Sequence, residues 1–207
     1  MNITNVPIVV TICVSLLTAI IGPIVVEFAK RMINKIDAAA QDAMYADLEG
    51  SVLIEEQIEI LHERTDADRI WVTQFHNGGH FYASGASIKK FSVFYESVNT
   101  GISRIQQMFQ NTPTSFFSKS LKEIHDNDNL EVSDMQDPNI CSFGLRDNAA
   151  ETGCRALFLV ALKTPSGKLH GSLGVEFVKE PHKFTEDEKD DIISAATYIS
   201  GILSSMH

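Results

Sequence analysis

The sequence predicts an α+β fold: an antiparallel sheet with helices on its faces, preceded by a transmembrane helix and a juxtamembrane helix. Three features carry that prediction. Gly153–Val178 reads as two strands joined at Pro165-Ser166-Gly167, where proline presets φ and glycine accepts a positive one. Strand patterns come in adjacent runs, with helical segments before, between and after them, which is the order of an α+β domain. Val6–Val26 contains no charged residue.

That apolar run sets the start of the chain. Its 21 residues rise about 31 Å as a helix, enough for a hydrocarbon core of roughly 30 Å. Residues 1–5 lack a basic side chain, which argues against a cleaved signal peptide. Lys30, Arg31 and Lys35 follow the run, so the excess of positive charge predicts a single-pass protein of the cytoplasmic membrane, N-terminus outside and bulk inside. Gly22-Pro23 predicts a loosened or kinked helix. Thr11, Ser15 and Ala19 form a small-residue stripe suited to helix contact in the bilayer.

Residues 1–32 are thus read as the anchor and 33–63 as a linker helix that continues into the domain. Ile36, Ala40, Met44, Leu48 and Val52, then Ile54, Ile58 and Leu61, keep a helical period. The first half of this stripe precedes any globular core and suits a coiled-coil pairing with a second copy of the chain. Gly50 predicts a loosened point in it.

The globular domain occupies 44–207. Arg69–His76 alternates Ile70 and Val72 against Trp71, Thr73 and Phe75, the pattern of a strand. Asn77-Gly78-Gly79 predicts a turn, Phe81–Lys90 a loop and Phe91–Val98 a second strand. Ile102–Ile124 predicts helix broken at Thr112-Pro113, with Phe116, Leu121 and Ile124 facing inward. Asp126–Asn129 is a turn, Leu130–Val132 a short strand, and Asp137–Ala150 a loop or short helix. In the hairpin, Leu173, Val175 and Phe177 share one face, and Ser172, Gly174 and Glu176 share the other. Thr185 opens the last helix as an N-cap, with acids in its first turn. Ile192, Ile193, Ala196, Ile199, Ile202 and Leu203 give that helix an apolar face.

The net charge of −10 argues against a nucleic-acid partner, which demands clustered Lys and Arg. Residues 1–36 carry +2, so the rest of the chain carries −12 and is held clear of the anionic lipid that the basic collar faces. Cys13, Cys141 and Cys154 form neither a disulfide framework nor a zinc pattern. His76 and His80 flank two glycines, which work against the helical spacing a shared metal needs. No triad order, phosphate loop or carboxylate pair stands out, and no catalysis is predicted.

Several late segments resemble a GAF domain, a small-molecule sensor module related to PAS domains. The resemblance runs over 44–205. Asp134–Pro138 is similar to the short strand and loop beside the family's pocket. Gly153-Cys154-Arg155 and the strand Ala156–Leu162 resemble the family's G-x-R element, without its proline. Gly167–Gly171 with Leu173, Gly174 and Val175 is similar to its hairpin, Phe184-Thr185 to the start of its last helix, and Arg69–Val72 with Phe75–Gly78 to its first strand. The resemblance implies a pocket between the sheet and roughly Phe91–Ile140, and first and last helices that pack together and dimerise. The signature of cyclic-nucleotide-binding members is not recognisable, and the motifs around the attachment cysteine of bilin-binding members are missing.

The residues selected as ligand contacts are His76, Asn77, Tyr82, Phe94, Glu96, Phe116, Asp134, Phe143, Arg146 and Arg155. Aromatic side chains supply an apolar wall and the rest a few polar groups. The expected protein senses an unnamed small molecule at a lipid bilayer and relays its state by helix pairing in a homo-oligomer. Two other classes remain open. One is a membrane-assembly or partner-binding protein, of the phage holin kind, that uses the domain for oligomerisation. The other is a GAF-fold redox enzyme acting through Cys141 or Cys154.

Overall fold

The computed structural model describes residues 6–80, 84–139 and 144–206, with backbone alone for 6–20. The chain divides into two compact units, Met1–Leu48 and Glu49–His207. The first is helical from Val6, the start of α1 (Val6–Thr65). Pro23 lies inside this helix, which continues on both sides of it; proline removes only one amide donor from the ladder. Among the described residues, no helix is long and apolar enough to cross a membrane. Most of the Val6–Val26 run lies among residues whose side chains fall outside the description. Residues 24–36 leave Ile24, Phe28, Ile33 and Ile36 exposed.

In the second unit, the end of α1 meets a sheet of six antiparallel strands. These are β1 (Arg69–His80), β2 (Ser87–Val98), β3 (Thr112–Pro113), β4 (Asn129–Val132), β5 (Ala156–Lys163) and β6 (Leu169–Phe177), in the order β3-β2-β1-β6-β5-β4. Three further helices are α2 (Ser118–Asn127), α3 (Arg146–Thr152) and α4 (Glu186–Ser205).

Strand alternation gives the sheet two faces. One carries Ile70, Val72, Phe158, Val160, Leu162, Leu173 and Val175 into a core with Ile54, Ile58 and Leu61 of α1 and Ile192, Ala196, Ile199 and Leu203 of α4. Each fully buried Ile or Leu contributes about 1.5–3 kcal/mol. The helical period read from the sequence is this face. Thr185 caps α4 as expected, accepting from the Glu188 amide while the Glu188 carboxylate accepts from the Thr185 amide at 2.7 Å. The opposite face carries Leu130, Val132, Leu157 and Leu159 against Ile124, Met135 and Ala149.

Several expectations are corrected. The chain does not turn at Asn77-Gly78-Gly79: β1 runs on to His80, and Gly79 at φ 71 takes up a register irregularity between Asn77 and His80. The expected loop 81–90 is strand from Ser87 onward. Gly50 does not loosen α1. It is buried where α4 crosses, and a β-carbon there would lie 2.7 Å from the Met206 sulfur. Phe116 is 67% exposed and Phe117 is buried instead. Residues 114–117 form a 3₁₀ turn, whose tighter winding shifts the phase before α2 begins.

Gly171 sits where β6 passes closest to β1, and a β-carbon there would lie 2.1 Å from the Thr73 carbonyl oxygen. Backbone cannot swing aside as a side chain can. Gly171→Ala is expected to cost about 2–4 kcal/mol, read as a lower thermal midpoint. An unchanged midpoint would contradict the β1–β6 register.

Candidate functional site

The site face is built by three cross-strand pairs between β1 and β6: Arg69 with Glu176, Trp71 with Gly174, and Thr73 with Ser172. Each pair puts its two side chains side by side on one face of the sheet. Thr73 and Ser172 share a hydroxyl hydrogen bond of 2.7 Å. The Trp71 indole lies flat over Gly174, where any β-carbon would come within 2.3 Å of its ring. Its Nε1 donates to Glu176 Oε1 at 2.8 Å.

Arg69 is wholly buried. Its Nη1 donates to Glu176 Oε2 at 2.5 Å, and its Nη2 donates to the carbonyls of Ser103 at 2.9 Å and Thr152 at 3.0 Å. Glu96, paired with Trp71 across β1 and β2, approaches Arg69 Nε at 3.8 Å. One guanidinium therefore joins β1, β2, β6, the segment after β2 and the C-terminal end of α3. Burial pushes the Glu176 carboxyl above its usual range against the pull of Arg69 and the indole, and Glu96 adds to the rise.

Above this face lies a cavity of about 70 Å³. Trp71, Phe91, Phe109 and Phe117 supply aromatic wall, Leu121, Met135 and Ala149 aliphatic wall, and Glu176 the one charged lining group among the described residues. Phe91, Phe109 and Phe117 pack on one another with ring centroids 5.5–6.5 Å apart. The cavity sits between the sheet and segments that fall mostly within the expected Phe91–Ile140, and it extends to Leu145–Thr152.

None of the ten residues selected from the sequence lines this cavity among the described residues. Tyr82 and Phe143 lie outside the described residues. Phe94 and Phe116 are exposed. Glu96 is buried, but its carboxylate accepts from the amides of Ile105 at 2.7 Å and Gln106 at 3.2 Å, fixing the turn that carries Phe109. Asp134 and Arg155 form an ion pair at 3.2 Å. Arg146 Nε donates to Met135 O at 3.1 Å and its Nη2 to Asp137 O at 3.0 Å, so it holds the loop beside the cavity. His76 bonds Ser92 Oγ at 2.9 Å, and Asn77 accepts from Lys89 Nζ at 2.7 Å. These last two line a separate open cleft with Lys168 and His170.

The residues that do form the site had a signal of a different kind. Arg69 opens an apolar strand, and Glu176 stands in line with Ser172 and Gly174 on the second face of β6. A charge at a strand position with both faces covered needs a buried partner. Among the described residues no group of His, Cys, Asp and Glu is placed to hold a metal ion.

No protein-family model matches this sequence, and no curated protein does. Solved structures match its architecture. The PixJ GAF domain of Thermosynechococcus elongatus in its blue-light-absorbing form is 18% identical, with a TM-score of 0.61 over 78% of this chain and 89% of that one. The GAF domain/HD domain protein of Geobacter sulfurreducens is 14% identical, with a TM-score of 0.52 over 74% and 91%. A far-red-absorbing dark-state structure with bound biliverdin IXa is 13% identical, with a TM-score of 0.56 over 72% and 86%. The fold is GAF-like.

The described site does not fit a bilin. About 70 Å³ is far below the roughly 300–1,000 Å³ of a pocket for even a drug-sized ligand. Cys154, which lines the cavity, donates its thiol to the Ala156 carbonyl at 3.4 Å. Burial, with Glu176 adding and Arg69 opposing, pushes that thiol well above its usual pKa, which disfavours the reactive thiolate. Cys141 lies outside the described residues.

Arg69→Met leaves buried Glu176 without its cation and Glu96 with only the exposed Arg104 at 3.9 Å, and is expected to cost about 3–5 kcal/mol. Adding Glu176→Leu should recover part of that loss, because it removes one stranded charge. Urea unfolding of the single and double variants measures the coupling; strict additivity would show that the pair does not carry the site.

Proposed function

We propose that residues 49–207 are a sensor module that takes a small molecule into the cavity over the Arg69–Glu176 pair, and that α1 relays its occupancy. The observation that carries this is the cavity itself. It is a largely apolar hollow with one carboxyl group in its wall among the described residues, and its covering segments are bonded to the same arginine that pairs with that carboxyl. A pocket of this composition is a default binding site, and GAF-like relatives in fold include one with a bound small molecule.

The relay follows from connectivity. Arg69 stands four residues after the end of α1. Asp68 pins the intervening link: its amide donates to Glu176 O at 2.9 Å and its carboxylate accepts from the Val178 amide at 2.8 Å. A ligand that moves the Ser103 or Thr152 carbonyl changes the bonding of Arg69 and so the position of the link that leads back to Thr65 at the end of α1. The exposed Val52, Leu53 and Ile60 on α1 give a second copy an apolar stripe to cover. Pairing of α1 is the two-state element on which occupancy acts.

We also propose that the chain is anchored in the cytoplasmic membrane through Val6–Val26, with the sensor module inside the cell. The uncharged length of the run and the basic residues after it support this. After cell fractionation the full chain should stay with membranes through a high-salt wash and leave only with detergent. Release by salt alone would reject the span.

The binding reading is tested by native mass spectrometry of the full chain purified in mild detergent. Added mass that disappears on denaturation is expected, and its identity names the ligand. A bare chain that also gains no thermal stability from a library of small metabolites would reject a ligand-binding role and leave assembly through the helices.

A further inference from the structure

Four features of the cavity point to one ligand class, on the premise that the cavity is a binding site. The first is its wall. Trp71, Phe91, Phe109 and Phe117 place an indole and three phenyl rings around one small space. Aromatic faces carry negative quadrupole charge and attract cations that have shed their water.

The second is charge. Glu176 and Glu96 both face Arg69, and their side chains are 6% and 0% exposed. One guanidinium thus answers two buried carboxylates. The next cation, Arg104, is 60% exposed and reaches Glu96 at 3.9 Å from the solvent side. Among the buried groups one guanidinium stands against two carboxylates, Arg104 balancing Glu96 only from the solvent side, and Glu176 presents its carboxyl to the cavity. No Lys, Arg or His lines the cavity among the described residues, so an anion would meet no cationic side chain there and only the neutral amide of Asn148.

The third is hydrogen bonding. Both oxygens of Glu176 already accept bonds, from Arg69 and from Trp71. The hydroxyls of Thr73 and Ser172 are bonded to each other, and Ser120 donates to Phe117 O at 3.0 Å. Asn148, whose side-chain amide also lines the cavity, adds one acceptor; a ligand rich in N–H groups would satisfy one donor there and leave the others unsatisfied. A fully methylated ammonium has no N–H to satisfy and needs only a field and a close apolar fit. The fourth is size. About 70 Å³ suits a head group of a few heavy atoms and excludes a nucleotide.

We propose that this cavity is an aromatic cage for a small quaternary ammonium group of the trimethylammonium type, with Glu176 as its counter-charge. The rings surround the methyl groups, and Glu176, held in place by Arg69 and Trp71, faces the positive centre without a direct hydrogen bond. An uncharged ligand of the same shape gains the burial and loses the attraction.

Trp71 is the only tryptophan in the chain, so its emission reports directly on the cavity. The full chain is titrated with choline chloride, and in parallel with dimethylbutanol, the uncharged carbon isostere of choline, at matched ionic strength set by sodium chloride. Choline is expected to change Trp71 emission saturably, and the isostere to bind at least about tenfold more weakly. Glu176→Gln should erase most of that preference. Because Glu176 also pairs with Arg69, that variant carries a folding risk, and Phe117→Leu serves as the second probe. It keeps apolar volume and removes one π face, so it should weaken choline while leaving the isostere nearly unchanged. Equal binding of choline and isostere, or equal weakening of both by Phe117→Leu, overturns the cation assignment and leaves a neutral-ligand pocket standing. Absence of any saturable change with either probe also overturns it, while the native mass spectrum still decides separately whether the cavity binds a ligand of another class.

Discussion

The second unit depends on a buried guanidinium. Arg69 has no exposure to solvent, and it bonds to a strand neighbour, to the segment after β2 and to the end of α3. Burying such a charge is costly unless its donors are met. Here Nη1 meets a carboxylate and Nη2 meets two carbonyls, while Nε faces Glu96 at 3.8 Å. The segments it ties together come from distant parts of the chain. An ion-pair network gives them a common fixed point, and its directionality sets their geometry more narrowly than apolar packing alone would.

The two faces of the sheet divide the work. On the α1/α4 face, large aliphatic residues interdigitate and the core is filled. On the other face β6 presents Ser172, Gly174 and Glu176, which are small or charged, and β1 answers with Thr73, Trp71 and Arg69. Small residues on a strand leave room above it. Gly174 admits the flat Trp71 ring, and the ring closes one wall of the cavity. The hollow follows from the composition of a single strand face, and the covering segments complete it. Glu96 secures one of these by capping the Ile105 and Gln106 amides, and Arg146 secures another through two carbonyls. These polar bonds act together with packing, because the same covers bury Ile105, Phe117, Met135 and Ala149.

The fold and the chemistry of this domain point to different comparisons. Its architecture matches that of solved GAF domains, light-absorbing and other, across most of the chain at 18% identity or below. Yet the described cavity is too small for a tetrapyrrole, and the thiol in its wall is buried and bonded to the Ala156 carbonyl. Architecture fixes where a pocket lies; the side chains on the second face decide what enters it.

The sequence by itself determined the order of the elements and the filled core. Period-two alternation in β1 and β6, the unbroken apolar run of β5 and the helical period of Ile54, Ile58, Leu61, Ile192, Ile199 and Leu203 are local patterns, and such patterns are legible because burial acts on each residue in the same way. The Thr185 cap was legible for the same reason, since its partner lies three residues on. The site was not. Phe116 and Phe117 exchanged roles through a 3₁₀ turn that no periodicity announces. Asp134, Arg146 and Arg155 proved to bind one another or backbone carbonyls in the described structure, which residue type alone does not distinguish from facing a pocket. Arg69 and Glu176 stand 107 positions apart in the chain, and only the β1–β6 register makes them neighbours. Long-range pairing, the fit of Trp71 over Gly174 and the count of two carboxylates against one guanidinium exist only once the strands are side by side. Hydrophobic burial is written residue by residue, whereas a charge cluster and a cavity are properties of several segments at once, and tertiary structure alone brings those segments together.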